Sequence, residues 1–228
     1  MAEKQKVAIV IDYQNVHMTA HDVFSSDLQI HEALIDPIRF ARRIISLKND
    51  DARITFERRG LAFPDSELGR VEVYRGLPSP EADPDGYRRN LKEQAAWLKE
   101  AHLQHVDLKV TYRPLKYHYS YTNGRKCIDK QFPPEEKGVD VLCALALTRL
   151  ARSGQYDCVV LASRDTDLVP ALEEAHESNI RVEAAKWYRK DDPETKGSLK
   201  VKVKGWKLWT TSMGEDDFQA SRDPNQYD

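Results

Sequence analysis

The stretch VAIVID, at residues 7–12, decides the fold. Five apolar residues follow one another without alternation, and the run ends at an acid, Asp12. Such a run is typical of a strand that is buried on both faces of a parallel sheet. A second run of this kind, Cys158–Ala162, ends at Ser163-Arg164-Asp165. The sequence therefore predicts two buried strands, each followed closely by an acidic side chain.

Further strands and helices alternate along the chain. The spacing of apolar residues predicts strands over 70–77, 106–112 and 180–187, and helices over 35–47, 84–102, 139–151 and 167–177. This alternation indicates an α/β fold with a Rossmann-like, doubly wound parallel sheet. We expect one domain over residues 1–213, with its core at 6–187.

Three segments depart from this rhythm. Tyrosines alternate at 117, 119 and 121 and are followed by Asn123-Gly124, which predicts an inserted β-hairpin at about 115–132. A basic edge segment, 188–209, alternates Leu199, Val201 and Val203, and we interpret it as a last edge strand. Residues 214–228 carry five acids against one arginine, so we expect a disordered acidic tail there.

Composition limits the possible classes of protein. The chain has 228 residues, of which 40% are apolar and 32% charged, so it can form a core and is not wholly disordered. Its formal charge of −2 excludes a uniformly basic nucleic-acid binder but allows a local basic face. No apolar run approaches the roughly 18 residues that span a bilayer. The first residues lack the apolar stretch of a signal peptide, so we expect a cytoplasmic protein without a membrane partner.

Acidic residues stand at the ends of the two buried strands. Asp12 follows the first strand, and Asp165 and Asp167 follow the other. Open parallel sheets bind ligands beyond the carboxyl ends of their strands, where the strand order reverses. Asp140 opens the helix before Cys158–Ala162 and could reach the same crevice, so we expect four carboxylates to converge.

Converging carboxylates repel one another unless a cation neutralises them. Mg²⁺ or Mn²⁺ prefers oxygen ligands and can activate a water against a phosphate, so the pattern predicts metal-assisted phosphodiester hydrolysis. Simpler interpretations stay open. Asp140 could be a favourable acid at a helix N-terminus, and Asp165 and Asp167 could be N-caps of the following helix.

Three motifs carry a family resemblance. The string VIDYQNV at 10–16 resembles the D-x-x-N opening of NYN domains, members of the PIN-like nuclease superfamily. KGVDV at 137–141 resembles that family's K-G-V-D motif, and SRDTDL at 163–168 resembles its S-G-D-x-D-F motif. Their order also matches, and the resemblance is closest to the LabA-like branch.

The resemblance implies a hydrolase, a Mg²⁺- or Mn²⁺-dependent endoribonuclease. It implies that the catalytic and metal-binding acids are Asp12, Asp140, Asp165 and Asp167. It also gives Asn15 and Ser163 supporting roles, as an orienting amide and as a hydroxyl behind the ligands or against a phosphate. Arg164 departs from the family, which has glycine there; it could clamp a phosphate or narrow the access of substrate.

Two locally basic stretches contain aromatic residues. Residues 109–130 and 186–207 each carry a net charge of +5. Cations neutralise phosphates and aromatic rings stack on unpaired bases, which favours single-stranded RNA as partner. We predict RNA contacts for Arg113, Lys116, Tyr117, Tyr119, Lys137 and Lys186. A solvated edge explains the same charges, and the tyrosines could instead cover the core or a partner in a homodimer.

A second class of function competes with the nuclease. The same fold could serve as a non-catalytic RNA-binding or regulatory protein, and the arginine at position 164 keeps that interpretation open. Phosphatases that need D-x-D on the first strand are disfavoured, because Asp12-Tyr13-Gln14 lacks the second acid.

Overall fold

A six-stranded parallel sheet forms the centre of the protein. The computed structural model describes residues 4–58, 65–122, 125–129 and 131–227. The strands of the sheet are β1 (Gln5–Asp12), β2 (Ser66–Leu77), β3 (Asp107–Pro114), β6 (Cys158–Ala162), β7 (Arg181–Trp187) and β8 (Trp209–Met213). Their spatial order is β3-β2-β1-β6-β7-β8, and every neighbouring pair is parallel.

The strand order reverses between β1 and β6. From β1 the chain adds β2 and β3 on one side, and from β6 it adds β7 and β8 on the other. Both central strands are buried on both faces, because the runs Val7–Ile11 and Cys158–Ala162 are at most 1% exposed. The predicted doubly wound α/β fold is confirmed, and the crevice of such a fold lies at the carboxyl ends of these two strands.

Helices cover both faces of the sheet. One face packs against α1 (Tyr13–Phe24), α2 (Pro37–Glu57), α3 (Pro84–Leu103) and α7 (Glu215–Ser221). The other face packs against α4 (Val139–Arg152) and α5 (Val169–His176). A short helix, α6 (Pro193–Lys196), lies in the segment between β7 and β8. None of the described helices is long and apolar enough to cross a membrane.

The predicted hairpin is present beside this sheet. Strands β4 (Tyr119–Thr122) and β5 (Arg125–Ile128) pair antiparallel, with Tyr119 opposite Ile128. The turn residues Asn123 and Gly124 lie outside the described residues. Alternating tyrosines followed by an Asn-Gly pair therefore predicted the hairpin correctly.

The acidic C-terminal segment is folded, which corrects the predicted disordered tail. Residues 215–221 form α7, whose Phe218 is fully buried, and the Asp217 carboxylate accepts from the backbone N–H of Gly214 at 2.7 Å. Further along, Asp223 accepts from the indole N–H of Trp97 at 2.7 Å. The count of acids gave the wrong prediction because two of them accept specific hydrogen bonds and one apolar side chain fills a core position.

The last edge strand lies later than predicted. Residues 199–208 form no strand, whereas Trp209–Met213 forms β8 beside β7. Leu199, Val201 and Trp206 pack against the apolar cluster beneath α4 and α5 instead. Their alternation therefore reflects packing of an irregular segment on the core and not pairing of strands.

Candidate active site

Strand pairing places Asp12 beside Ser163. Ile11 of β1 pairs with Ala162 of β6, so the next residues of the two strands leave the sheet side by side. The Ser163 hydroxyl donates to Asp12 Oδ2 at 3.0 Å, and Asp12 is almost fully buried. This contact agrees with the supporting role that the family motif implies for Ser163.

Asn15 connects the first helix to the loop after β6. Asp12 is the N-cap of α1 and accepts from the backbone N–H of Asn15 at 3.4 Å. The Asn15 side-chain oxygen accepts from the backbone N–H of Arg164 at 2.9 Å. The amide of Asn15 thus fixes the loop that carries Ser163 relative to the residue that starts the helix.

Asp165 caps a short turn and also lies at the site, whereas its role as a metal-binding acid stays a prediction. Its backbone N–H donates to the Ser163 hydroxyl at 3.1 Å. Its carboxylate caps a 3₁₀ turn over Thr166–Leu168 by accepting from the backbone N–H of Asp167 at 2.9 Å. The same carboxylate lines the cavity described next, so the capping contact leaves it at the site.

An acidic cavity of about 570 Å³ lies at these strand ends. Three of the four predicted acids line it: Asp12 from β1, Asp165 after β6, and Asp140 from the first turn of α4. Asp167 is exposed and does not line this cavity. Of the four carboxylates expected to converge, three therefore line this cavity, while Asp167 donates its backbone N–H to the Asp165 carboxylate and its place in the set stays a prediction.

Besides the exposed Asp22, which also lines the cavity, the sequence analysis missed Glu136. It lines the acidic cavity and accepts a hydrogen bond from the backbone N–H of Gly76. In the orientation that satisfies both side chains, the Gln14 amide nitrogen donates to both Glu136 oxygens, at 3.0 and 2.7 Å. The available signal was its position directly before Lys137 and the K-G-V-D motif, which puts it in the loop that leads into α4.

The buried acids of the site carry raised pKa values. Burial raises the pKa of Asp12, and the charges of Asp165 and Asp140 raise it further, although hydrogen bonds from Asn15 and Ser163 oppose the shift. Burial, with the nearby charge of Asp12, raises the pKa of Glu136 to about 7. The cavity thus concentrates negative charge that a bound cation would relieve.

The oxygen donors of the acidic cavity fit a divalent ion that keeps several of its waters. Within the described part of the chain, no three His, Cys, Asp or Glu side chains are grouped so that they could hold one metal ion directly. Mg²⁺ characteristically takes one or two carboxylates and keeps several waters. The acidic cavity is wide, and its oxygen donors come from separate parts of the chain. The pKa values of two of these acids, Asp12 and Glu136, are raised, and such a set fits an ion held in this way.

Some residues predicted to contact RNA lie near the acidic cavity. Lys137 lines it and forms an ion pair with Glu135 at 2.9 Å. The Arg113 side chain donates to the Lys137 carbonyl at 3.2 Å, and Lys116 is exposed. RNA contact by these three cations stays a prediction.

The hairpin tyrosines do not cover the core. Tyr119 is 51% and Tyr121 77% exposed, and the Lys126 ammonium lies 4.2 Å from the Tyr119 ring centroid. Tyr117 is half-buried, and its hydroxyl accepts from the backbone N–H of Ser79 at 3.0 Å. Contact with RNA or with a second copy of the chain stays a prediction for these rings.

Two predicted phosphate contacts are corrected. Lys186 is 8% exposed, and its ammonium donates to the carbonyls of Thr195, Lys196 and Gly197 at 2.6–3.0 Å, so it is not available to RNA. The Arg164 guanidinium donates to the Glu194 carbonyl, and Arg164 lines a different cavity, whose walls include none of the four predicted acids. Arg164 is not among the described residues with positive φ, so this backbone does not need the family's glycine.

These features define a class of protein: a doubly wound α/β domain with a polyacidic cavity where the strand order reverses. The chain belongs to the NYN domain family, whose model matches residues 6–202. NYN domains are part of the PIN-like nuclease superfamily, whose members generally depend on divalent metal ions.

Other comparisons add little. No curated protein matches the chain. It is similar to a crystal structure of a protein of unknown function from Vibrio parahaemolyticus, at 15% identity and a TM-score of 0.45, over 96% of this chain and 98% of that one. A likeness at this level supports no inference about the site.

Proposed function

We propose that the protein is a Mg²⁺- or Mn²⁺-dependent endoribonuclease that hydrolyses single-stranded RNA. One observation carries the proposal. Three acids of the family's motifs, Asp12, Asp140 and Asp165, come from three separate elements and line one cavity at the carboxyl ends of β1 and β6. A fold has no structural reason to collect unpaired carboxylates at such a point, because they repel one another.

Of the three motif acids, one or two would hold the ion directly and the others through its waters, with Glu136 beside them. When bound, Mg²⁺ or Mn²⁺ supplies neutralisation of the phosphate charge and a more acidic water. The chain's own residues orient this set. Ser163 fixes the Asp12 carboxylate, while Gly76 and Gln14 fix that of Glu136.

Hydrolysis adds one water across a P–O bond of the RNA. The water oxygen joins phosphorus, the bond to one ribose oxygen breaks, and that oxygen leaves with a proton. Lys137 lines the cavity and Arg113 donates to the Lys137 carbonyl, so these two cations would attract the RNA backbone. Unpaired RNA suits the site because the exposed hairpin tyrosines can stack on single bases.

Cleavage of a 5′-labelled single-stranded RNA tests the proposal, with Mn²⁺ or with EDTA. We expect Asp12→Asn and Asp165→Asn to lower kcat/KM by about 100-fold or more, since each removes one member of a catalytic set. Asp167→Asn is the matched control, because this motif acid lies outside the cavity, and we expect it to retain most activity.

The possible outcomes separate the competing functions. Equal cleavage by wild type and Asp12→Asn would point to a contaminating nuclease and would refute the enzyme. RNA binding without cleavage by any variant would favour a non-catalytic RNA-binding protein on the same fold.

A further inference from the structure

A second cavity, of about 260 Å³, adjoins the acidic cavity. Gln14, Met18 and Glu136 line both cavities, so these three side chains form their shared wall. A polymer whose phosphate lies at the acids can therefore place a neighbouring group in the second cavity. We call this second space the side cavity.

The side cavity has apolar walls and a polar floor. Its apolar lining comes from Ile30, Leu34, Pro78, Leu115 and Pro134. Its polar lining includes Arg89 and Asn90 together with His17, Arg75 and Glu93, and we call these last three side chains its floor. Apolar walls around a few convergent polar groups are typical of a small-molecule pocket. The volume lies below the roughly 300 Å³ at which pockets for drug-sized ligands begin, so one small ring system suits it.

The polar floor is held rigidly by its own contacts. Arg75 forms an ion pair with Glu93 at 2.6 Å, and its guanidinium carbon lies 4.5 Å from the centroid of the Tyr13 ring. His17 Nε2 donates to the Ile30 carbonyl at 2.9 Å, which leaves Nδ1 as an acceptor. The floor thus presents a fixed pattern of donors and acceptors before any ligand arrives.

We propose that the side cavity receives one unpaired nucleobase next to the phosphate that is cleaved; the inference rests on the proposed function. A phosphate gains little net attraction here, because Glu93 and Glu136 line the cavity together with the arginines Arg75 and Arg89, and Glu93 already pairs with Arg75. A nucleobase is neutral and planar, with polar edges that suit the floor and faces that suit the walls. Proteins that read single-stranded RNA bind splayed bases in this way.

Binding of a base in the side cavity makes the enzyme depend on the base at one position of the RNA and not at others. A base in a helical stack cannot enter a cavity of this depth without leaving its partner, so duplex RNA is a poor substrate. The position is fixed relative to the cut, because the shared wall fixes the distance between acids and side cavity.

Walking one abasic nucleotide along the RNA tests the inference. We expect one position beside the cut to lower kcat/KM by about tenfold, and other positions to have effects of about twofold or less, given the usual worth of a base contact. Ile30 is 46% exposed and lines only the side cavity, so Ile30→Trp should fill it and Ile30→Ala should enlarge it.

The variants give opposite expected results. Ile30→Trp should cut the abasic and intact RNAs equally well, whereas Ile30→Ala should keep the abasic penalty. A penalty that persists or grows in Ile30→Trp, or a wild type indifferent to every abasic position, would overturn the side-cavity assignment while leaving the nuclease intact.

A binding assay tests the side cavity if the protein does not cleave RNA. If wild type does not cleave RNA, fluorescence anisotropy of labelled hexanucleotides, each with one abasic position, replaces the cleavage readout. Loss of affinity of about tenfold at one position, removed by Ile30→Trp, would then support base binding by a non-catalytic protein. Equal affinity for the intact hexanucleotide and for every abasic one would refute the side-cavity assignment in this assay too.

Discussion

Glu72 is fully buried and Glu136 is half-buried, yet their surroundings shift the pKa of the two carboxyl groups in opposite directions. Glu72 lies on β2 with no exposed surface, and burial alone would raise its pKa; hydrogen bonds from Arg149, Tyr74 and Arg70 instead hold that pKa below its ordinary value. Glu136 accepts from a backbone N–H and an amide, both neutral groups, and its pKa rises to about 7.

The contrast separates structural carboxylates from those of the site. Most buried acids elsewhere have cations in contact, such as Glu93 with Arg75 and Glu183 with Lys48, both at 2.6 Å. Asp36 is the exception, since its carboxylate caps α2 and accepts from two backbone N–H groups. Among the described residues, Asp12 and Glu136 form no ion pair with lysine or arginine. The proposed divalent ion would supply the countercharge that neither carboxylate receives through an ion pair.

The largest effect should come from removing a structural cation. Lys48→Met leaves Glu183 buried with a weaker set of partners, and we expect a loss of about 3–5 kcal/mol in the free energy of unfolding. Urea denaturation at pH 7 measures it. The double variant Lys48→Met, Glu183→Gln is the control and should recover much of the loss. An unchanged unfolding free energy in the single variant would contradict the contrast.

Glu136→Gln should raise the free energy of unfolding at alkaline pH, whereas Lys48→Met lowers it. The folded-state pKa of about 7 lies above the ordinary 4.5, so the charge costs stability as the pH rises from 4.5 through 7. Without metal, the variant should therefore be more stable than wild type by about 1–3 kcal/mol at pH 8, and equal to it near pH 4. Denaturation in EDTA at both pH values checks this, and a variant less stable at pH 8 would refute the uncompensated charge.

Gly76→Ala should disturb the position of Glu136. A Cβ at Gly76 would lie 2.7 Å from Glu136 Oε1 and 2.3 Å from Leu115 Cδ2, so the carboxylate must move. We expect a loss of stability on the order of 1 kcal/mol, together with slower RNA cleavage. Gly69→Ala is the matched control, since its Cβ meets only the flexible Lys6 side chain. Equal cleavage by both variants would separate Glu136 from the reaction.

Arg164→Gly should have the smallest effect. The guanidinium donates to the Glu194 carbonyl and not toward the acids, while the backbone N–H that holds Asn15 remains in the variant. We expect stability within about 0.5 kcal/mol of wild type and little change in RNA cleavage. A large loss of cleavage would show that this arginine reaches the phosphate after all.

Local chemistry explains what the sequence alone determined. The unbroken apolar runs at 7–11 and 158–162 required strands buried on both faces, and the acids directly after them had to emerge at the strand ends. The positions of Asp12 and Asp165 could therefore be predicted, because each depends on a few neighbours in the chain. Asp140, in a helix's first turn, follows from the same motif pattern.

Tertiary packing decided the rest. Glu136 meets Gly76 across 60 residues of chain, and no local pattern encodes that contact. Lys186 looks like a surface cation in the sequence but is buried against three carbonyls, and Phe218 turns an apparently disordered acidic segment into a docked helix. In each case contacts between distant segments supply the free energy that holds the side chain in place. Only the assembled fold therefore determines which side chains are buried, paired or left for a ligand.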